Sequence, residues 1–346
     1  MKRLLLVIFC ILIAVPGFSQ AGLQPAATVN LIRTEAITVG QLRTEVERMQ
    51  RSTNRTLTTA ERLQVLDVMI NERLVMQASE RDRITITDNE VNQQMQQFRT
   101  SMAQQLGRQP TDAEFAQAVT AESGLDVPAF RDQLRRQMLV QKYLMHRKGD
   151  IINAVRTPTD AEITAEYALR RSELIRPDTI RFTMIQVPYG ADATSRQRAR
   201  TLADSLVREI NNDPSRFDEV AQRSVAPNSG FQAGDAGYLP RNPEARQVVG
   251  QAFMDAAFAL RQGQVSRLIE GQQGFQIIKV TENYASRQLE LADILQLGTR
   301  ITVRDYIGQM LLNQRQQAAL AQASQELVTE LRANRSFQVF ENNINW

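Results

Sequence analysis

At "RPDTI" (176–180) the apolar residues stop recurring at helical spacing and begin to alternate, and after about residue 287 the helical spacing returns. A spacing near 3.6 lays apolar side chains along one stripe of a helix, whereas a spacing of 2 puts them on one face of a strand. The two patterns cannot share one element. The chain must therefore be a helical protein interrupted by one compact α+β unit, with expected bounds of 26–175 for the first helical part, 180–285 for the insert and 288–346 for the returning helical segment.

Within the first part, Ala26 opens a short strand, and Val39, Leu42, Val46 and Met49 then follow at helical spacing. Thr58 with Glu61, Thr87 with Glu90, Thr111 with Glu114 and Thr159 with Glu162 each have the form of a capping box ahead of a helical pattern. "PTDAE" occurs at both 110–114 and 158–162, but its flanks do not match, so these are separate helix starts and no internal repeat. "DVPAFRDQLRRQMLVQKYLMHRK" (126–148) reads as a further helix, with Pro128 in its first turn.

The insert reads as a strand over 181–187, a helix over 194–211, a short helix around Phe217, a Gly-rich turn, and a helix over 250–260. Two strands then follow near 265–270 and 275–281. A long helix follows, and "SFQVFENNI" reads as a terminal strand. The fold class is α+β and mainly helical.

The first twenty residues combine Lys2 and Arg3 with an unbroken apolar run from Leu4 to Val15, followed by Pro16 and small residues. The run falls short of the ~20 apolar residues of a membrane span and has the layout of a secretory signal cleaved near Ser19 or Gln20. Cys10 lies inside the run and lacks the neighbours of a lipoprotein site, so the exported chain is expected without an anchor and without cysteine. Disulfide and thiol chemistry are then excluded. Without Lys2 and Arg3 the chain has 39 basic and 38 acidic residues. No basic block supports nucleic-acid binding, no nucleotide motif is present, and no cofactor or metal is expected. His146 is the only histidine. It stands near the end of the 126–148 helix, where a cation suits the helix dipole. Asp235 is read as a turn acceptor in Gly234-Asp235-Ala236-Gly237.

Three stretches of the insert, "FTMIQV" (182–187), "FDEVAQRSVAPNSGFQAGDAGYL" (217–239) and "AFMDAAFALRQGQVSRLIEGQQGFQIIKV" (252–280), resemble the parvulin family of peptidyl-prolyl isomerases over about a hundred residues. Outside it, "VNLIRTEAITVGQLRTEVERM", "RLQVLDVMINERLVMQA" and "ITDNEVNQQM" resemble the N-terminal domain of SurA-type periplasmic chaperones. In that family a C-terminal helix returns after the isomerase domain to complete the helical one.

The resemblance also marks departures. Where parvulins place a histidine in the first strand, an Asp or Cys in the middle segment and a histidine in the last strand, this chain carries Met184, Ala226 and Gln276. No catalytic residue is therefore assigned. The groove implied by the resemblance would be lined by Met184, Ala236, Val249, Phe253 and Gln276, with Phe253 matching the family's aromatic floor. The implied function is a periplasmic holdase for unfolded outer-membrane or secreted polypeptides, its parvulin-like domain gripping peptide with little or no turnover. The alternative is an active isomerase working through the apolar groove without histidines. A third is a structural module that docks one folded partner.

Overall fold

The computed structural model describes residues 20–333 and 336–346. Positions 1–19 of the expected signal segment lie outside the described residues. In chain order, β1 (Pro25–Asn30), β2 (Thr34–Thr38), α1 (Val39–Thr53), α2 (Thr59–Arg81), α3 (Asp88–Leu106), α4 (Asp112–Ser123), α5 (Val127–Asn153) and α6 (Asp160–Arg170) lead into the α+β part. There follow β3 (Ile175–Arg176), β4 (Thr179–Pro188), α7 (Ala193–Ile210), α8 (Pro214–Gln222), β5 (Gln232–Pro240), α9 (Pro243–Val249), α10 (Gln251–Phe258), β6 (Ile269–Glu270), β7 (Gly274–Tyr284) and β8 (Arg287–Gln288). The chain closes with α11 (Val303–Arg332) and β9 (Phe337–Val339).

Two compact units result: the chain up to Val155 with Arg315–Trp346, and Arg156–Gln314. These limits differ from those expected. α6 and residues 288–314 belong to the α+β unit because Ile163, Leu174, Leu289, Val303 and Ile307 form a buried core of their own, and Tyr167 Oη donates to Leu289 O at 2.9 Å.

In the helical unit, β1 and β2 form a hairpin where one strand was expected, and β9 pairs with the other edge of β1, Ala27 facing Val339 and Val29 facing Phe337. Gln77 of α2 is fully buried and holds the hairpin turn. Its Oε1 accepts from the backbone N–H groups of Leu31 and Ile32 at 2.9 and 3.1 Å, and its Nε2 donates to Arg33 O at 3.0 Å. A buried amide with every group paired costs far less than one left unmet. The guanidinium groups of Arg43 and Arg62 lie 4.9 and 5.2 Å from the ring centre of Trp346. α5 runs past the expected end at 148, through a non-helical φ of −131° at Lys148, and His146 is exposed on it.

In the α+β unit the sheet has the order β5-β4-β7-β6. Ile185, Val187, Phe275 and Ile277 face α7 and α8 and bury Ala203, Leu206, Ile210, Phe217 and Val220. Ile180, Phe182, Ile278 and Val280 share a second core with Phe253, Met254 and Ala257 of α10. Residues 232–240, expected as a Gly-rich turn, form a strand paired with β4 and bulged opposite Arg181/Thr183, where Gly237 adopts φ +79°. Pairing with a neighbour overrides the low strand propensity of Gly and Asp here. The strand expected at 265–270 is reduced to β6 and a lone bridge between Val265 and Lys279.

All four expected capping boxes are present, heading α2, α3, α4 and α6. Salt-linked hydrogen bonds reinforce the caps at Glu61, Glu90 and Glu114. Arg55 on Glu61, Lys142 on Glu90 and Arg108 on Glu114, with the backbone N–H groups of the capping threonines, each hold the carboxyl down to about 2. Arg81, followed by Tyr143, does the same for Asp82. A carboxylate whose folded value lies below its unfolded one adds stability above the unfolded value, and that stability is lost as pH falls through the folded value. The melting temperature of the helical unit should therefore fall steeply between about pH 4 and 2. A Glu61→Gln/Glu90→Gln/Glu114→Gln variant, which keeps the cap geometry, should show a flatter slope by circular dichroism; an unchanged slope contradicts this assignment.

Phe253 is 4% exposed, and its ring lies 5.7 Å from that of Phe182 at 56°. Phe253→Ala should therefore cost about 3–5 kcal/mol of stability, read as a loss in the unfolding transition of the α+β unit. A loss below about 1 kcal/mol would show that the ring is not part of the core.

Candidate peptide groove on the sheet face

Directly opposed residues of antiparallel strands project from the same face, and alternate residues of one strand do likewise. The register places Phe182 opposite Val280, Met184 opposite Ile278 and Gln186 opposite Gln276. On the outer strands Gly234 faces Met184, Gln232 faces Gln186, and Ile269 faces Gln276. One face of the sheet thus carries an apolar row, a Gly-Met-Ile row and a glutamine row, in that order along β4.

α9 and α10 cover the apolar end of this face. The N-cap side chain of Asn242 accepts from Ala245 N at 2.8 Å to start α9, and Gly250, at φ +85°, lets the chain turn from α9 into α10. Val249, Ala245 and Met184 are half-buried and pack against the core built around Phe253. The sequence-expected positions Met184, Val249 and Phe253 therefore belong to one apolar cluster, Phe253 beneath and the other two at its margin. Gln276 stands one row further along the same face. Ala236 on β5 and Ala226 after α8 are exposed and belong to no buried cluster among the described residues. Beside them in sequence, Val225 is 89% exposed, and Val248 next to Val249 is 76% exposed.

Gln276 is half-buried. Its amide lies against Gly271 in the β6–β7 turn: a Cβ on that glycine would stand 2.7 Å from Oε1 and 2.9 Å from Cδ. Gly271 is thus the residue that makes room for the amide. None of the side chains of Gln186, Gln232 and Gln276 has a hydrogen-bond partner among the described residues. Gln186 and Gln232 were not singled out from the sequence. The alternation of "FTMIQV" places Gln186 on the face of Met184, but the row itself exists only through inter-strand register.

Three charged residues of the sheet, Arg181, Asp235 and Glu282, are gathered elsewhere and fixed, while Lys279 and Glu270 pair with Asp218 and Arg196. Arg181 donates to Asp235 at 2.5 Å and to Glu282 at 2.9 Å, and Gly237 N donates to Asp235 at 2.9 Å. Arg181 and then Gly237 hold the Asp235 carboxyl below the usual range. The Tyr284 hydroxyl, followed by Arg181, does so for Glu282, and Tyr284 is itself pushed up to about 12 by that hydrogen bond and by burial. Asp235 is a bound acceptor in a strand bulge, with a guanidinium partner that the sequence reading missed. Nothing in this cluster changes charge near neutral pH. The groove positions carry a thioether, an amide, a phenyl ring and aliphatic groups, which can exclude water and exchange hydrogen bonds but cannot accept or release a proton. Two open hollows lie away from this face, one along α7 from Ala193 to Ser205 and one in the helical unit beside Ile151, Val155, Ala318 and Gln322. Among the described residues no group of three or more His, Cys, Asp or Glu could hold a metal, and no helix is long and apolar enough to cross a membrane.

Residues 180–282 match the PPIC-type PPIase domain, and residues 1–144 match the SurA-like N-terminal domain. "Chaperone SurA" of Chromohalobacter salexigens is 27% identical over 287 residues, covering 79% of this chain and 61% of the relative. "Chaperone SurA" of Nitrosococcus oceani is 24% identical over 231 residues, covering 66% and 50%. The chain therefore spans half to about three-fifths of these curated relatives. A solved SurA-like chaperone of Campylobacter jejuni is 16% identical with a TM-score of 0.32, covering 88% of this chain and 97% of that one. The chain thus carries a SurA-like N-terminal domain followed by a PPIC-type PPIase domain, and over most of its length it is similar to SurA chaperones.

Proposed function

We propose that the protein is a periplasmic holdase that binds unfolded outer-membrane or secreted polypeptides, and that its PPIC-type domain serves as a peptide grip with little turnover. The observation that carries this reading is the neutral, apolar margin of Met184 and Val249 over the buried Phe253, beside a Gln276 amide with no hydrogen-bond partner among the described residues. Isomerisation breaks no covalent bond; it requires the twisted amide to be bound better than the planar one. A face without titrating groups binds by shape and desolvation, which act nearly equally on both. Relatives called chaperones, and the signal-like first twenty residues, support the assignment to exported clients.

A second reading, an active isomerase, draws on the half-buried Met184 and Val249 above the Phe182–Phe253 core, apolar side chains that would desolvate a proline ring. The two readings differ in what survives without catalysis. Near-stoichiometric protein should suppress light scattering by a denatured β-barrel client diluted from urea. Scattering that is unaltered with protein in several-fold molar excess removes the holdase reading.

A further inference from the structure

Resting on the peptide-grip reading, we propose that Gln232, Gln186 and Gln276 form a neutral hydrogen-bonding subsite for the backbone of an extended polypeptide segment, one of whose apolar side chains enters beside Met184 and Val249. The three glutamines are consecutive rungs of one row across β5, β4 and β7. Strands lie about 4.8 Å apart, so the row spans about 10 Å, the length of three extended residues.

A carboxamide presents one acceptor oxygen and an NH₂ donor, the same pair that a peptide group presents in reverse. A row of carboxamides therefore suits a ligand that repeats donor and acceptor without charge, which is what an extended backbone does. The amides are not committed elsewhere, since none is bonded to another described residue. Gln186 and Gln276 are half-buried, so their groups are already partly withdrawn from water and favour a partner that replaces it. Gly271, having no Cβ, leaves room for the Gln276 amide against the β6–β7 turn. The next row, Gly234–Met184–Ile278, is apolar and has no side chain at its β5 end, leaving space next to Met184. No ionisable side chain stands in either row. Recognition would thus be indifferent to client sequence except at one apolar position, and indifferent to pH.

The test uses the full exported chain and a fluorescein-labelled peptide, Ala-Ala-Phe-Pro-Phe-Ala, followed by anisotropy. A second peptide has its backbone N–H groups methylated on either side of the Phe-Pro pair. Gln186→Leu/Gln276→Leu should weaken the first peptide about tenfold or more and remove most of the difference between the two peptides. Gly271→Ala, which leaves every glutamine in place, should weaken binding in the same direction by displacing the Gln276 amide. Wild-type affinity should vary less than about twofold between pH 5.5 and 8. Thermal unfolding confirms that each variant is folded. If Val249→Asp abolishes binding while the double glutamine variant and Gly271→Ala bind as wild type, the subsite is overturned and the groove reading stands. Binding that is indifferent to Val249→Asp overturns both.

Discussion

The ten-position antiparallel pairing of β4 with β7, from Thr179 opposite Tyr284 to Pro188 opposite Gly274, determines what this protein can present to a ligand. It is the central pair of the sheet, and its buried side chains divide between two separate cores. A slip of one residue would exchange the faces, putting Gln276 among Leu206, Ile210 and Phe217 and bringing Ile277 to the groove. That mismatch would bury an amide without partners at a cost of about 1–3 kcal/mol and expose an isoleucine in its place. The register is fixed from both sides, and with it the association of Met184, Gln186, Gln276 and Phe253 on one face.

On that face the side chains are apolar groups and neutral amides. Phe253 lies buried beneath the half-buried Met184 and Val249, while Arg181, Asp235, Glu282 and Tyr284 are tied to one another, Lys279 to Asp218 and Glu270 to Arg196. The barrier to X-Pro rotation is about 18–20 kcal/mol, and each tenfold gain in rate requires about 1.4 kcal/mol of preference for the twisted amide. Neutral amides and hydrocarbon offer affinity for a peptide readily; they offer that preference only sparingly. On the holdase proposal, binding without much turnover is what such side chains would give.

What could be read from the sequence was what is local. The capping boxes at Thr58, Thr87, Thr111 and Thr159 are set by residues three apart, and all four formed. The switch of period near residue 176 located the α+β part because periodicity needs no partner. β5 was missed because "QAGDAGYLP" has the composition of a turn and becomes a strand only against β4. β9 was legible as a strand, yet its pairing with β1, some three hundred residues earlier, was not. The unit boundaries were misplaced because the small core of Ile163, Leu174, Leu289, Val303 and Ile307 joins segments more than a hundred residues apart. In the groove, the substitution at Gln276 was visible along the chain, while its neighbours Gln186 and Gln232 became visible only across strands.

The central claim, that a fold shaped around proline has kept its hold and lost its proton-handling side chains, is tested most directly by exchange spectroscopy of a Phe-Pro peptide in the presence of the protein. The account predicts resonance shifts that report binding, together with a cis–trans exchange rate within about tenfold of the uncatalysed one and unchanged from pH 6 to 8. Exchange accelerated a thousandfold or more, with a rate that follows a titration near neutrality, would contradict it.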